Sequence, residues 1–350
     1  MLLEFNFSLV FKINNYLDTI ATIMCLKEEF WLKIGSLFAG IGGIELGFKK
    51  VGFKTAWAIE IDTKACITYK ANHKHKIINE DLAKVDLSKL NKIDILTAGF
   101  PCQAFSVAGY RKGFKDERGN VFFEILRYLE YFKPEIIFLE NVKNLFKHDG
   151  GRTFTIIKTE LEKAGYNIKY QILNTCEYGN IPQNRERIYI VGFLDFNKCE
   201  MFNFPAKIKL TNKISHLLEQ GVEKDFYYNK HKYYNELKQN MRNKETLYQW
   251  RRHYVRENKN NLCPTLTANM GTGGHNVPLV LDDDIRKLTP RECARFQGFD
   301  DDFILPNELS KATLYKQIGN SVSVSVIANI AKEIKRVIKN EFRNEFRAVC

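Results

Sequence analysis

The chain has no run of 18 apolar residues, no Cys-x-x-Cys pair and no Gly-Lys-Ser/Thr triplet. The first absence removes a membrane-spanning helix. Glu4, Asp18, Glu28 and Glu29 interrupt the apolar N-terminal stretch, so a secretory leader is not expected either. The second absence, with no histidine at finger spacing from any of the 8 cysteines, argues against structural zinc. Reduced thiols in a cytoplasmic protein are expected. The third absence removes a phosphate-cradling P-loop. Proline is scarce at 8 residues while aromatics reach 13%, which excludes a disordered chain. Acid is in the minority: 41 Asp and Glu face 53 Lys and Arg, leaving +12 over 350 residues. Such a balance favours a polyanionic partner, most simply nucleic acid. Internal repeats and low-complexity tracts are absent.

From Ile34 onward, short apolar runs alternate with helical patterns, as in a parallel sheet with crossover helices. The candidate strands are Ile34–Phe38, Thr55–Ile59, Ile77–Ile78, Ile93–Thr97, Glu135–Leu139, Tyr170–Leu173 and Arg187–Phe193. Ile44–Val51, Lys64–Asn72, Phe122–Tyr131 and Thr153–Ala164 carry apolar residues at three- and four-residue spacing and are expected to be helices. After about Phe196 the sequence becomes polar, basic and rich in tyrosine. Residues 196–262 hold 14 Lys and Arg against 7 Asp and Glu, more than half of the net charge. Interleaved bases and aromatics suit a nucleic-acid face, although a solvated surface domain would look similar. Ser323–Phe346 reads as a basic amphipathic helix. Residues 1–33 read as an amphipathic extension, or as sequence ahead of an alternative start at Met24.

Four segments carry chemistry. In Ser36–Glu45, Gly40, Gly42 and Gly43 permit a tight turn at a helix N-terminus, but their spacing does not match a pyrophosphate cradle. Alone this is a strand-to-helix turn; Glu60, ending the next strand, sharpens it because a carboxylate there can accept both ribose hydroxyls. Asp81, past the third run, can accept from an adenine amino group. In Thr97–Ser106 a strand runs into a turn that presents Cys102, a thiol in a polar loop instead of an apolar stripe. Strand Glu135–Leu139 delivers Glu140 at its carboxyl end, where ligands of open parallel sheets bind. Glu60, Cys102 and Glu140 should therefore share one rim. Gln183–Arg187 offers two arginines, as a surface charge pair or as cations for the same site.

A thiol, a carboxyl and an arginine beside a nucleoside-binding strand end suit one reaction. Cytosine C5 is a poor nucleophile, and methylating it calls for thiolate addition at C6. Cys102 fits that role, a protonated Glu140 can hold N3, and Arg187 can steady O2. A sulfonium methyl donor needs no phosphate cradle.

The sequence resembles the DNA (cytosine-5) methyltransferase family, particularly bacterial enzymes of restriction-modification systems, over nearly the whole chain after residue 33. SLFAGIGGIELGF resembles its cofactor loop, AIEID the ribose-binding acid and NEDL the adenine-contacting segment. GFPCQAFSVAG is similar to the nucleophile loop, LENVKNL to the glutamate motif and QNRERIYIVGF to the arginine motif. RKLTPRECARFQGF and YKQIGNSV resemble the motifs that organise the recognition domain and return to the cofactor pocket. The resemblance implies an α/β, S-adenosylmethionine-dependent methyltransferase (Rossmann-like) fold with a mostly parallel sheet and a smaller target-recognition domain. Its expected division is 34–196 catalytic, 197–305 recognition and 306–350 packing back on the catalytic part.

The same resemblance implies that Phe38, Gly40, Gly42, Gly43, Glu60, Ile61, Asp81, Pro101, Asn320 and Val322 contact S-adenosylmethionine, with S-adenosylhomocysteine as product. Cys102, Glu140, Arg185 and Arg187 carry over as catalytic or target-base residues. Gln103 and Ser106 fall in a loop that closes on DNA, and Thr265 resembles a phosphate contact. The implied partner is double-stranded DNA, with a cognate restriction endonuclease acting separately; a monomer without membrane association or metal is expected. Two departures are the N-terminal stretch and Asn184, where relatives often carry another polar or basic residue. A tRNA cytosine-5 methyltransferase and a non-catalytic DNA-binding regulator are the alternatives. The long basic insert disfavours the first, and intact Cys102, Glu140 and Arg187 disfavour the second.

Overall fold

Seven apolar runs become the strands of one sheet: β1 (Lys33–Leu37), β2 (Lys54–Ile59), β3 (Lys76–Ile78), β4 (Ile95–Gly99), β5 (Ile136–Val142), β6 (Asn167–Asn174) and β7 (Glu186–Phe193). The computed structural model describes residues 32–101 and 120–349. The strand order is β3-β2-β1-β4-β5-β7-β6. Strands β1 to β5 run parallel, whereas β7 is antiparallel to both neighbours. A parallel return needs a crossover, usually a helix. The link from β6 to β7 holds only the single turn Thr175–Tyr178, so the chain doubles back.

Ile34, Leu37, Ile95, Leu96, Ala98 and Ile136–Leu139 are fully or almost fully buried, because helices cover both faces of these central strands. The covering helices include α1 (Gly43–Lys49), α2 (Thr63–Asn72), α3 (Asn120–Phe132) and α4 (Arg152–Lys163). Each lies within a few residues of its expected bounds. Past the sheet come α5 (Phe196–Met201) and α6 (Tyr234–Asn240). A second sheet follows, with β8 (Leu247–Trp250), β9 (Val255–Glu257), β10 (Leu279–Leu281) and β11 (Ile285–Lys287) antiparallel in the order β11-β10-β8-β9. Helix α7 (Pro290–Phe296) is set by a capping box in which Thr289 and Glu292 satisfy each other's backbone N–H, with Pro290 in its first turn.

The chain then forms α8 (Lys311–Asn320) and α9 (Val324–Val349). Helix α9 returns to α1, where Gly47 permits close packing: a Cβ there would stand 2.6 Å from Ile327 Cγ2. Residues 33–350 form one compact unit. One buried cluster joins Ile41 and Ala65 of the first sheet's loops and helices to Leu247 and Val280 of the second sheet and Ile318 and Val324 of the C-terminal segment. Among the described residues no helix is long and apolar enough to cross a membrane.

Candidate active site

The order of the first sheet reverses beside β1, whose neighbours are β2 and β4, so a crevice opens at the carboxyl ends there. The loop leaving β1 is shaped by backbone that few side chains tolerate: Phe38, Gly40 and Gly42 have φ of 54°, 57° and 88°. A Cβ on Gly42 would lie 2.0 Å from His73 Nε2, and one on Gly43 would lie 2.8 Å from Ser321 Oγ and Val322 Cγ2. Beside Gly40 the space is open. The loop is thus a cradle pressed between α2 and the α8–α9 turn.

Glu60 closes the cradle: its Oε2 accepts from Gly40 N and its Oε1 from Asp62 N, both at 2.8 Å. Ile61 beside it is exposed. Asp81 follows β3 and caps the next turn by accepting from Ala83 N. Asn320 is exposed at the end of α8, and Val322 is buried against Gly43. Pro101 follows β4 and is exposed. These residues suit a nucleoside with a small cationic tail: a carboxylate held by backbone donors, an exposed apolar lid and open space beside a glycine.

Glu140, within β5, is buried, and its Oε1 lies 3.2 Å from Arg187 Nε but without hydrogen-bond alignment, leaving that oxygen unpartnered. Burial raises the Glu140 carboxyl above its ordinary pKa, opposed by the charges of Arg187 and Arg185. Arg187 reaches this point because β7 is antiparallel: its first residues pair with the last of β5, Val142 opposite Arg187. Asn141 donates to the Phe100 carbonyl at 2.8 Å and ties the end of β5 to the chain leading into Pro101. Cys102, Gln103 and Ser106 lie outside the described residues.

Arg185 is placed differently from Arg187. Its guanidinium is buried and donates to the Leu266 carbonyl at 2.9 Å, to Gly319 at 3.5 Å and to Ser321. Thr265 donates from its hydroxyl to the Asn184 carbonyl at 2.7 Å.

Sequence reasoning missed the Asn141 tether, although its adjacency to Glu140 was a usable signal. It also missed a buried set under the glycine loop. Glu45 accepts from the Tyr69 hydroxyl at 3.3 Å, the same hydroxyl contacts His75 Nε2, and the His73 ring lies tilted against Tyr69 with centroids 4.4 Å apart. Burial lifts the Glu45 carboxyl to about 7, and burial with the Lys49 charge lowers His73 and His75 to about 4. On the second sheet, a cavity of about 580 Å³ is lined by Lys232, Tyr233, Trp250, Arg252, His253 and His275 among others. Tyr233 and Trp250 stack there at 4.4 Å.

The sequence pattern of the family described as C-5 cytosine-specific DNA methylase matches residues 32–336. The type II methyltransferase M.Bsp6I of Bacillus sp. (strain RFL6) is 57% identical, over 85% of this chain and 96% of that relative. M.HhaI of Haemophilus parahaemolyticus is 35% identical, over 86% and 93%. Among solved structures, S. pombe Dnmt2 methyltransferase superposes with a TM-score of 0.68 at 21% identity, covering 87% of this chain and 99% of that one. That likeness concerns the fold.

Proposed function

The chain belongs to the C-5 cytosine-specific DNA methylase family, and from that premise we propose that it methylates C5 of one cytosine within a short duplex sequence, as the modification enzyme of a restriction-modification system. The observation that carries this reading is Glu140: a buried carboxyl with an unpartnered oxygen beside Arg187, at the strand end next to the chain that leads into Pro101-Cys102.

The residues fit S-adenosylmethionine, the methyl donor of this family. Glu60 would take the ribose hydroxyls, Asp81 the adenine amino group and Ile61 the adenine face, while Phe38, Gly40, Gly42 and Gly43 line the open cradle, with Pro101, Asn320 and Val322 at its rim. When bound, the sulfonium supplies an electrophilic methyl group. Cys102 adds as thiolate to C6 of the target cytosine, and the displaced electron pair is met at N3 by the proton of Glu140. Burial raises the hold of the Glu140 carboxyl on that proton, opposed by the charges of Arg187 and Arg185, and Arg187 orients the carboxyl and steadies O2. After transfer, loss of the C5 proton to a base expels the thiolate of Cys102, and Glu140 recovers its proton.

Because C6 is inaccessible in stacked DNA, the cytosine must be extruded, at a few kcal/mol of unstacking. We assign residues 197–305 to recognition of the duplex, with the cavity holding Arg252, His253 and His275 as its base-facing side and Lys232 toward phosphate. Residues 34–196 and 306–350 form the catalytic part. Gln103 and Ser106 belong to the loop that closes on the duplex, and Thr265 to the phosphate contacts. A cytoplasmic monomer paired with a separately acting endonuclease of the same site completes the reading.

The test is methyl transfer to a plasmid of diverse sequence, with modified cytosines located by bisulfite sequencing and bulk tRNA run in parallel. Protection of cytosines in one short motif is expected. Labelling of tRNA alone, or no transfer to either, refutes the reading.

A further inference from the structure

Arg185 joins three parts of the chain that are far apart in sequence. Its own backbone N–H donates to Asn174 Oδ1 at 3.0 Å, which fixes it at the start of β7, two residues before Arg187. Its guanidinium holds the carbonyls of Leu266 in the Pro-Thr-Leu-Thr segment and of Gly319 and Ser321 in the turn that carries Asn320.

These two partners also touch each other. A Cβ on Gly319 would lie 2.3 Å from the Thr267 carbonyl, so backbone meets backbone there. Ser321 and Val322 press in turn on Gly43 of the cofactor loop. A continuous path therefore runs from Gly43 through Ser321 to Arg185, and from Arg185 to Leu266 on one side and to Arg187 and Glu140 on the other. A cation buried only to fill space is a poor choice, because apolar replacements of buried charges are often neutral or stabilising. Here the guanidinium satisfies backbone carbonyls that an apolar side chain would leave bare.

We propose that Arg185 is a positioning residue that couples cofactor binding to DNA engagement, by holding the Gly319–Ser321 turn, Leu266 and the strand bearing Arg187 in one arrangement. This rests on the function proposed above. Cofactor seated against Gly43 and Val322 favours the arrangement in which Thr265 and Arg187 are placed for the duplex, and by linkage the duplex strengthens cofactor binding by the same factor.

The experiment measures dissociation constants for S-adenosylhomocysteine, for a duplex carrying the mapped site, and for each in the presence of the other. In wild type, roughly tenfold coupling is expected, within the range usual for linked sites. In Arg185→Met the coupling ratio falls to near one while cofactor affinity in the absence of DNA changes by less than about threefold, and Arg185→Lys restores part of the ratio. Absence of coupling in wild type, or a Met variant that weakens both ligands yet keeps the ratio, overturns the proposal. Failure of wild type to bind either ligand would instead overturn the function it rests on. Should the Met variant not fold, hydrogen exchange on wild type decides: cofactor product alone must slow the amides of residues 265–268, and unchanged exchange there overturns the proposal.

Discussion

Glu45→Gln isolates the energetic cost of the buried acid under the glycine loop. Glu45 lies on α1 with almost no exposure, its Oε2 unpartnered and its Oε1 taking the Tyr69 hydroxyl. Burial is the dominant cause of its rise from 4.5 to about 7; the nearby hydroxyls of Ser36 and Tyr69 pull the other way, and the charge of Glu60 adds to the rise. The folded state therefore binds the proton more tightly than the unfolded chain. Stability from this group is highest when the acid is protonated and declines as pH rises from about 4.5 through 7. At 1.36 kcal/mol per unit the full loss is about 3 kcal/mol, of which about 2.5 accrues between pH 5 and pH 8.

His73 and His75 act with the opposite sign, because their folded pKa values near 4 lie below the usual imidazole value and their contribution grows as pH rises to about 6.5. The wild-type curve alone therefore hides Glu45. The difference between Glu45→Gln and wild type exposes it, since both histidines are common to the two proteins. Urea unfolding at pH 5, 6, 7 and 8 at fixed ionic strength should show the variant gaining on wild type by about 2–3 kcal/mol over the series. A flat difference, or one that shrinks with pH, would refute the reasoning.

Four further outcomes are expected. Glu140→Gln lowers kcat by about 10²- to 10⁴-fold while product-cofactor affinity measured by calorimetry stays near wild type; normal turnover would remove Glu140 from the chemistry. Gly42→Ala forces a Cβ to 2.0 Å from the His73 ring at a φ of 88°, and it should weaken cofactor binding at least about tenfold; calorimetric titration showing unchanged affinity would mean the loop is not the cradle. Arg286→Met leaves Glu292 buried without the cation 2.8 Å away and should cost about 3–5 kcal/mol, with much of it recovered by adding Glu292→Gln; thermal scans of the single and double variants decide. Lys232→Ala should flatten the plot of log DNA affinity against log salt by about one charge, whereas an unchanged slope places Lys232 away from phosphate.

The middle of the first sheet was legible because β1, β4 and β5 are short, nearly uninterrupted apolar runs, as expected of strands covered on both faces. Their bounds and the positions of α1 to α4 follow the sequence within a few residues. The second sheet was not legible. Its strands span three or four residues each, too few for alternation to show against a polar, tyrosine-rich background. Arg286 opens the RKLTPRECARFQGF motif, but nothing in the sequence marked it as fully buried between Asp282 and Glu292. Its burial depends on partners that only the folded hairpin and α7 bring together. Likewise, nothing in the spacing of Glu45, Tyr69, His73 and His75 announced a cluster, because Glu45 on α1 and Tyr69 on α2 are brought together only by the fold.

The direction of β7 had the largest consequence for the site and was the feature least accessible to sequence. Strands β4, β5 and β7 are consecutive in the sheet. The first leads into Pro101-Cys102, the second carries Glu140 and the third carries Arg187. In β4 and β5 the chemistry lies toward the carboxyl end, but Arg187 lies at the amino end of its strand. A parallel β7 of eight residues over the same span, at about 3.3 Å each, would set Arg187 near the start of β5, roughly 10 Å along the strands from Glu140. Antiparallel pairing sets it opposite Val142 and within 3.2 Å of the carboxyl. The short link after β6, with its single helical turn, is therefore as necessary to the site as the charged residues themselves. Lengthening it enough to admit a crossover helix would be expected to separate acid from cation while leaving the glycine-loop cradle, built on β1 and β2, in place.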